Sequence, residues 1–184
     1  MKKPPQRIGN YILERAIGRG ATSEVWLAQH ANLEWQRVAI KLLVIPDQET
    51  TERFVREANL SSRLTHPHIV RIYDHGIHPG NNTQPDLYYT VYEYIHGGSL
   101  QSVLDRQHHL TLDEARHIFT QVADALDHAH SLNIIHRDVS PGNILIEQAT
   151  GRAILTDFGI ARDLSRRVTV HSAIMGTPGY WSPE

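Results

Sequence analysis

The segment His136-Arg-Asp-Val-Ser-Pro-Gly-Asn143 sets an acid, Asp138, and an amide, Asn143, five positions apart, and a second acid follows at Asp157-Phe-Gly159. A carboxylate can orient a hydroxyl and accept its proton, while an amide oxygen and another carboxylate are hard donors suited to Mg2+. One base and two oxygen ligands are the minimum equipment for phosphoryl transfer, in which the protein positions the reactants and neutralises charge. Each of these residues could form a turn by itself. Their order and close spacing make a shared site the better reading.

Two upstream features supply what the phosphate side of such a reaction needs. Gly18-Arg19-Gly20-Ala21-Thr22-Ser23 lies between two strand patterns, where small residues let a turn approach a phosphate chain and present N–H groups to it. Taken alone, a tight hairpin is the better account of those glycines. A dinucleotide-binding fingerprint fits poorly, because Val25-Trp-Leu-Ala28 alternates like a strand instead of opening a helix. Lys41 ends the run Val38-Ala-Ile-Lys41, and apart from Lys2 and Lys3 the remaining Lys/Arg cations are all arginine. An amine there, paired with Glu57 on the following helix, would be held against phosphate oxygens; as a plain surface ion pair it would be worth only ~0–1 kcal/mol.

The elements that must carry these residues follow from periodicity. Strands are expected at 11–17, 24–28, 37–44, 69–73 and 87–94, with a helix from about Glu49 to Leu64 that ends before His66-Pro67. Gly97-Gly98 reads as a hinge between two lobes, and a short helix follows over 99–104. A longer helix starts at Thr111, with Glu114 in capping-box position and the stripe Ala115, Ile118, Phe119, Val122, Leu126, Ala129 as core. Residues 144–146 and 153–156 form a hairpin-like pair, and the chain beyond Gly159 reads as a long polar loop.

Composition narrows the classes. The chain has 184 residues, 40% of them hydrophobic, which suits one folding unit. A net charge of -2 provides no basic field for nucleic acid or an anionic membrane. There is no cysteine, so thiolate metal sites and disulfides are excluded. No signal sequence or membrane span is legible, which makes the cytoplasm the expected compartment. The thirteen histidines include the pairs 66/68, 108/109 and 128/130, none spaced to converge on one helical face, so packed or solvated histidines are expected rather than a metal site.

From Tyr11 onward the sequence resembles the eukaryotic-like (Hanks-type) serine/threonine protein kinases. The resemblance implies an α+β, bilobal fold: a tail over 1–10, a first lobe over 11–95 with five antiparallel strands and one helix, and an incomplete helical second lobe over 96–184. It implies that residues 18–23, flanked by Ile17 and Val25, form the glycine-rich loop over ATP. Ala39 would line the nucleotide site, Lys41 and Glu57 form the activating ion pair, and Tyr92 to Ile95 supply gatekeeper and hinge, with the backbone near Glu93 and Ile95 on the adenine. By the same resemblance Asp138 is the catalytic base, Asn143 and Asp157 hold Mg2+, and Arg137 anchors a phosphorylated activation loop. Thr169 and Ser172 are its candidate phosphosites, and Thr177 marks protein serine or threonine as the substrate. The oligomeric state is left open.

Three departures from that pattern carry expectations of their own. Ser23 stands for the third loop glycine, a minor change. Ser140 stands where serine/threonine kinases usually carry a lysine on the transferring phosphate, so transfer should be slowed with nucleotide binding largely intact. The chain stops at Glu184, before the rest of the second lobe, which suggests a polypeptide that continues or a truncated product, with the 115–129 stripe left facing water. Two further readings are therefore a kinase-like module that binds nucleotide or a partner without catalysis and a small-molecule kinase of related fold; Arg137 and Gly176-Thr-Pro-Gly-Tyr180 speak against the latter.

Overall fold

The computed structural model describes residues 6–20, 23–44, 48–80 and 85–158, apart from the side chains of 48–50, 52, 53 and 57. These residues fall into two compact units. One runs to Ala58 and resumes over Ile72–Tyr94; the other takes Asn59–Arg71 and the chain from Ile95 onward.

The first unit is an antiparallel sheet of six strands: β1 (Arg7–Ile8), β2 (Tyr11–Arg19), β3 (Ser23–His30), β4 (Leu33–Val44), β5 (Ile72–His78) and β6 (Leu87–Glu93), in the order β1-β2-β3-β4-β6-β5. Strand alternation sends Val38, Ile40 and Leu42 of β4 to one face, where they pack with Ile8, Tyr11, Leu13, Ala28 and Val91. Lys41 and Leu43 therefore face the opposite way, and both are also buried. Helix α1 (Gln48–Ser61) packs on that second face. Its Phe54 meets Tyr88 edge-on at 5.6 Å between ring centroids, and Thr51 Oγ1 lies 2.7 Å from the Tyr88 hydroxyl. A strand covered on both sides explains why 38–44 is a nearly unbroken apolar run interrupted by one lysine.

Differences from the expected elements have local causes. The sheet gains a sixth strand because Arg7–Ile8, within the segment read as a tail, pairs with Tyr11–Ile12. The expected strand at 69–73 lies later, as β5, while Ile69 forms a parallel bridge to Leu155 in the second unit, where Val70 N donates to Leu155 O at 2.9 Å. Helix α1 stops at Ser61, three residues before the buried Leu64.

The second unit contains β7 (Gly97–Ser99), α2 (Leu100–Gln107), α3 (Leu112–Ser131), a 3-10 turn (Pro141–Asn143), β8 (Ile144–Glu147) and β9 (Ala153–Leu155), with the strands ordered β7-β8-β9. The capping box forms as expected: Glu114 N donates to Thr111 Oγ1 at 3.3 Å and Thr111 N to Glu114 Oε2 at 2.8 Å. Ile118, Val122, Ala125 and Ala129 of α3 pack on Ile144, Ala153, Leu155 and Phe158. The 115–129 stripe is therefore largely covered, not left facing water. Phe119, expected in the stripe, is the correction, at 64% exposure, while Ala125, absent from the expected stripe, is fully buried.

The histidines behave differently from their sequence spacing. His66 meets His68 in its own loop and His128 of α3 through the fold, stacking on His128 at 5.1 Å with its Nε2 3.2 Å from Asp124 Oδ2. Burial holds the His66 imidazole below the usual histidine range, against the opposing pull of Asp124. Among the described residues, no group of three or more His, Cys, Asp or Glu side chains is placed to hold a metal ion.

Gly97 and Gly98, read from the sequence as a hinge, both sit in β7, paired with Glu147 and Ile146 of β8. A Cβ on Gly97 would lie 2.0 Å from the Ile146 carbonyl oxygen, whereas one on Gly98 would meet only the Ser102 hydroxyl, at 2.8 Å. Backbone cannot swing aside as a hydroxyl can. Gly97→Ala is therefore expected to destabilise the protein by about 1–3 kcal/mol and Gly98→Ala by clearly less, read from the midpoints of urea unfolding; equal small losses would return the pair to the role of a joint.

Candidate active site

The loop after α3 is organised by His136, whose side chain is buried beside Phe158 at a ring separation of 4.6 Å. Asp138 N donates to His136 Nδ1 at 3.2 Å, so the ring proton sits on Nε2, which donates to Thr156 O at 2.8 Å. One imidazole thus ties the 136–143 loop to the segment that carries Asp157. A second tie runs from Thr156 N to Asn143 O at 2.9 Å. The backbone of Arg137 and of Asp157 is left-handed, with φ of 65° and 63°. Each such non-glycine residue costs roughly 1–2 kcal/mol, which the surrounding hydrogen bonds must hold in place.

Asp138 and Asn143, expected as base and metal ligand, are in direct contact. Asn143 Nδ2 donates to the Asp138 carboxylate Oδ2 at 2.8 Å and to the Asp138 backbone O at 2.9 Å. The 3-10 turn that brings them together is closed by Asn143 N donating to Ser140 O at 2.9 Å. With both N–H groups of the amide turned to Asp138, its oxygen Oδ1 is the atom left to a hard cation. Asp157 is half-buried in the same unit, one residue from Thr156. These residues fit a divalent metal by the chemistry of their donors. Ser140 is buried and its side chain makes no capping bond to the turn. A serine at this place cannot extend a cation.

In the first unit, Gly18 and Arg19 end β2 opposite Val25 and Glu24 of β3. Arg19 Nε pairs with Glu24 Oε1 at 3.4 Å. Gly20 N donates to Ser23 O at 2.8 Å, so this N–H closes the hairpin and is not one that a phosphate would meet. Lys41 stands opposite Val25 on one side and Thr90 on the other, and Ala39 opposite Tyr92. Ile17 is exposed at the hairpin's outer edge, Glu93 closes β6 opposite Val38, and Ile95 is buried. The backbone of Glu57 belongs to α1; its side chain, and with it the ion pair to Lys41, lies outside the described residues, as do Ala21, Thr22, Thr169, Ser172 and Thr177. Arg137 is exposed.

Sequence reasoning misses two features. His136 reads as part of a motif without a task, though an imidazole can accept at one nitrogen and donate at the other and so bond two backbone groups at once. Thr90 gives no signal at all, since an isolated threonine in a strand is ordinary.

The fold and this loop define a protein kinase domain, and the chain belongs to that family: its model matches residues 11–184. The chain is 41% identical over 180 residues to the serine/threonine-protein kinase PrkC of Bacillus subtilis, and 40% identical over 180 residues to PknA of Mycobacterium tuberculosis. These alignments cover 96% of the chain but only 26% of PrkC and 41% of PknA. Among solved structures, a double mutant of the PknI kinase domain of Mycobacterium tuberculosis superposes with a TM-score of 0.74 at 34% identity, covering 88% of this chain and 63% of that one. Rad53 1–466 in complex with AMP-PNP matches with a TM-score of 0.70 at 29% identity, over 82% of this chain and 38% of that one. The family uses ATP and a divalent metal. Among the described residues, no helix is long and apolar enough to cross a membrane.

Asn143→Asp tests the contact at the centre of the loop, because it replaces the donor 2.8 Å from Asp138 Oδ2 with a second carboxylate. Two such groups share one proton, raising the pair's affinity for it. The variant is expected to be destabilised by about 1–3 kcal/mol near neutral pH, with the deficit shrinking as the pH falls and one carboxyl is protonated; melting temperature against pH is the measurement, and a deficit independent of pH would contradict it.

Proposed function

We propose that this chain is the catalytic portion of an ATP-dependent serine/threonine protein kinase that transfers the γ-phosphate of Mg-ATP to a protein hydroxyl. The observation that carries this reading is the double hydrogen bond from Asn143 to Asp138, which fixes the carboxylate and leaves the amide oxygen for metal. Asp138 orients the substrate hydroxyl and accepts its proton as the oxygen attacks. Asn143 and Asp157 would hold Mg2+, which neutralises charge on the phosphates when bound. Lys41, with Glu57, holds the nucleotide phosphates under the 17–25 hairpin, and Ala39, Glu93 and Ile95 border the adenine.

Arg137 receives a phosphate on the loop that carries Thr169 and Ser172, and Thr177 favours serine or threonine over tyrosine. The partition into a first lobe over 11–95 and a second over 96–184 belongs to the same reading. So does a cytoplasmic setting, where ATP is abundant. The partner is a protein substrate, and neither nucleic acid nor a membrane surface is called for by a net charge of -2.

Incubation of the protein with radiolabelled ATP and Mg2+, beside Asp138→Asn and Lys41→Met, tests this directly. Loss of a general base should lower turnover by roughly 10²–10⁴-fold, and equal incorporation in all three would remove the enzyme reading. The buried Ser140 favours a second reading, a slow or inactive module that binds nucleotide. Restoring a cation there by Ser140→Lys is expected to raise kcat about tenfold or more with little change in KM for ATP; an unchanged kcat would show that the missing cation does not limit the reaction.

A further inference from the structure

His66 is held in one protonation state by its partners. His68 N donates to its Nδ1 at 3.2 Å, so that nitrogen carries the lone pair and the ring proton sits on Nε2, 3.2 Å from Asp124 Oδ2 of α3. This bond to the amide two positions on, across Pro67, is the histidine counterpart of the one an asparagine makes in a turn. On the face of the ring lies His128 of α3, stacked at 5.1 Å and 23°, whose Nε2 is buried and finds no hydrogen-bond partner among the described residues. His68 completes the group, its ring 5.6 Å from that of His66 and its Nδ1 2.9 Å from Ala153 O. From the hairpin side Arg152, itself paired with Glu147, donates to Pro67 O at 2.9 Å. All of these contacts lie within the second unit.

A further proton on His66 has only Nδ1 to go to. It would turn that nitrogen from acceptor to donor and set it against the His68 N–H. It would also place a cation face to face with a second imidazole, with Arg152 adding to the positive field and Asp124, 66% exposed, as the one facing anion. We propose that this cluster is a pH-sensitive latch: neutral His66 seats the 66–70 turn on α3, and protonation at Nδ1 releases it. The effect reaches β9, because the same turn accepts from Leu155 N at His68 O, at 2.8 Å, and donates from Val70 N to Leu155 O, at 2.9 Å. Its sign follows from linkage. The closed latch disfavours the imidazolium, chiefly through burial, so seating is complete above the ordinary histidine value of about 6.5 and is lost as the pH falls through the lower value of the closed form.

Hydrogen exchange of the amides over 68–71 tests this in the parent protein and in His66→Asn, compared at the same pH so that the intrinsic chemical rate cancels. Asparagine can accept from the His68 N–H but takes up no proton. Between about pH 7.5 and about pH 5.5 the ratio of rates, parent over variant, is expected to rise about five- to tenfold, close to the most that one unit below an ordinary histidine value allows. A ratio that stays constant over this range overturns the proposal. The imidazole nitrogen resonances of His66 in the parent provide a readout that does not depend on the variant. They should report the Nε2–H tautomer for as long as the turn is protected, with the imidazolium appearing only as protection is lost. An imidazolium at position 66 beneath a turn that is still protected overturns the proposal equally.

Discussion

One buried imidazole holds two chain segments in register: His136 accepts from the Asp138 amide and donates to the Thr156 carbonyl. That bridge acts beside the Thr156 N to Asn143 O bond and the β8–β9 pairing, which set the same two segments side by side. The bridge also explains why the left-handed backbone at Arg137 and Asp157 is tolerated. Each strained residue lies next to an atom that His136 fixes, so the conformational cost is met by bonds formed in a desolvated setting, where they are stronger than in water. The rest of the second unit serves this arrangement. α3 delivers the chain at Ser131, β8 and β9 carry the two segments as neighbouring strands, and Phe158 packs over the imidazole.

Much of this was legible in the sequence, for reasons that can be stated residue by residue. Asp138, Asn143 and Asp157 could be picked out because, although each alone could be a turn residue, a base and two oxygen ligands in that order and at short spacing match what phosphoryl transfer needs. The capping box at Thr111 and Glu114 was legible because its chemistry is entirely local. Strands β2, β3, β4 and β6 followed from alternation. What escaped depended on partners distant in sequence. Gly97 reads as a break, yet it is glycine because a carbonyl from β8, some fifty residues on, occupies the space of its side chain. Phe119 fits the helical period, but the sheet it would have to reach meets α3 at Ile118, Val122 and Ala125 instead.

The histidines make the same point in the opposite direction. No pair is spaced for one helical face, yet His66, beside His68 in one loop, stacks on His128 of α3. Convergence of side chains is decided by topology, and spacing along the chain reports only the local part of it. The cluster is structural in character: His68 Nδ1 is 2.9 Å from Ala153 O and His66 contacts Asp124, so the rings are used in joining the 59–71 segment to α3 and β9.

Ser140 and Thr90 are opposite departures from the economy expected of a folded protein, and together they bear on how electrostatics is divided in this molecule. Ser140 is buried within the acidic loop and cannot extend a cation there. At Thr90 a polar group is present where strand and packing need none. At Thr90 stability alone would favour an apolar residue, since a hydroxyl is buried there without a partner among the described residues. The retained hydroxyls belong instead to the acidic loop, for Ser140, and to the strand opposite the buried lysine, for Thr90.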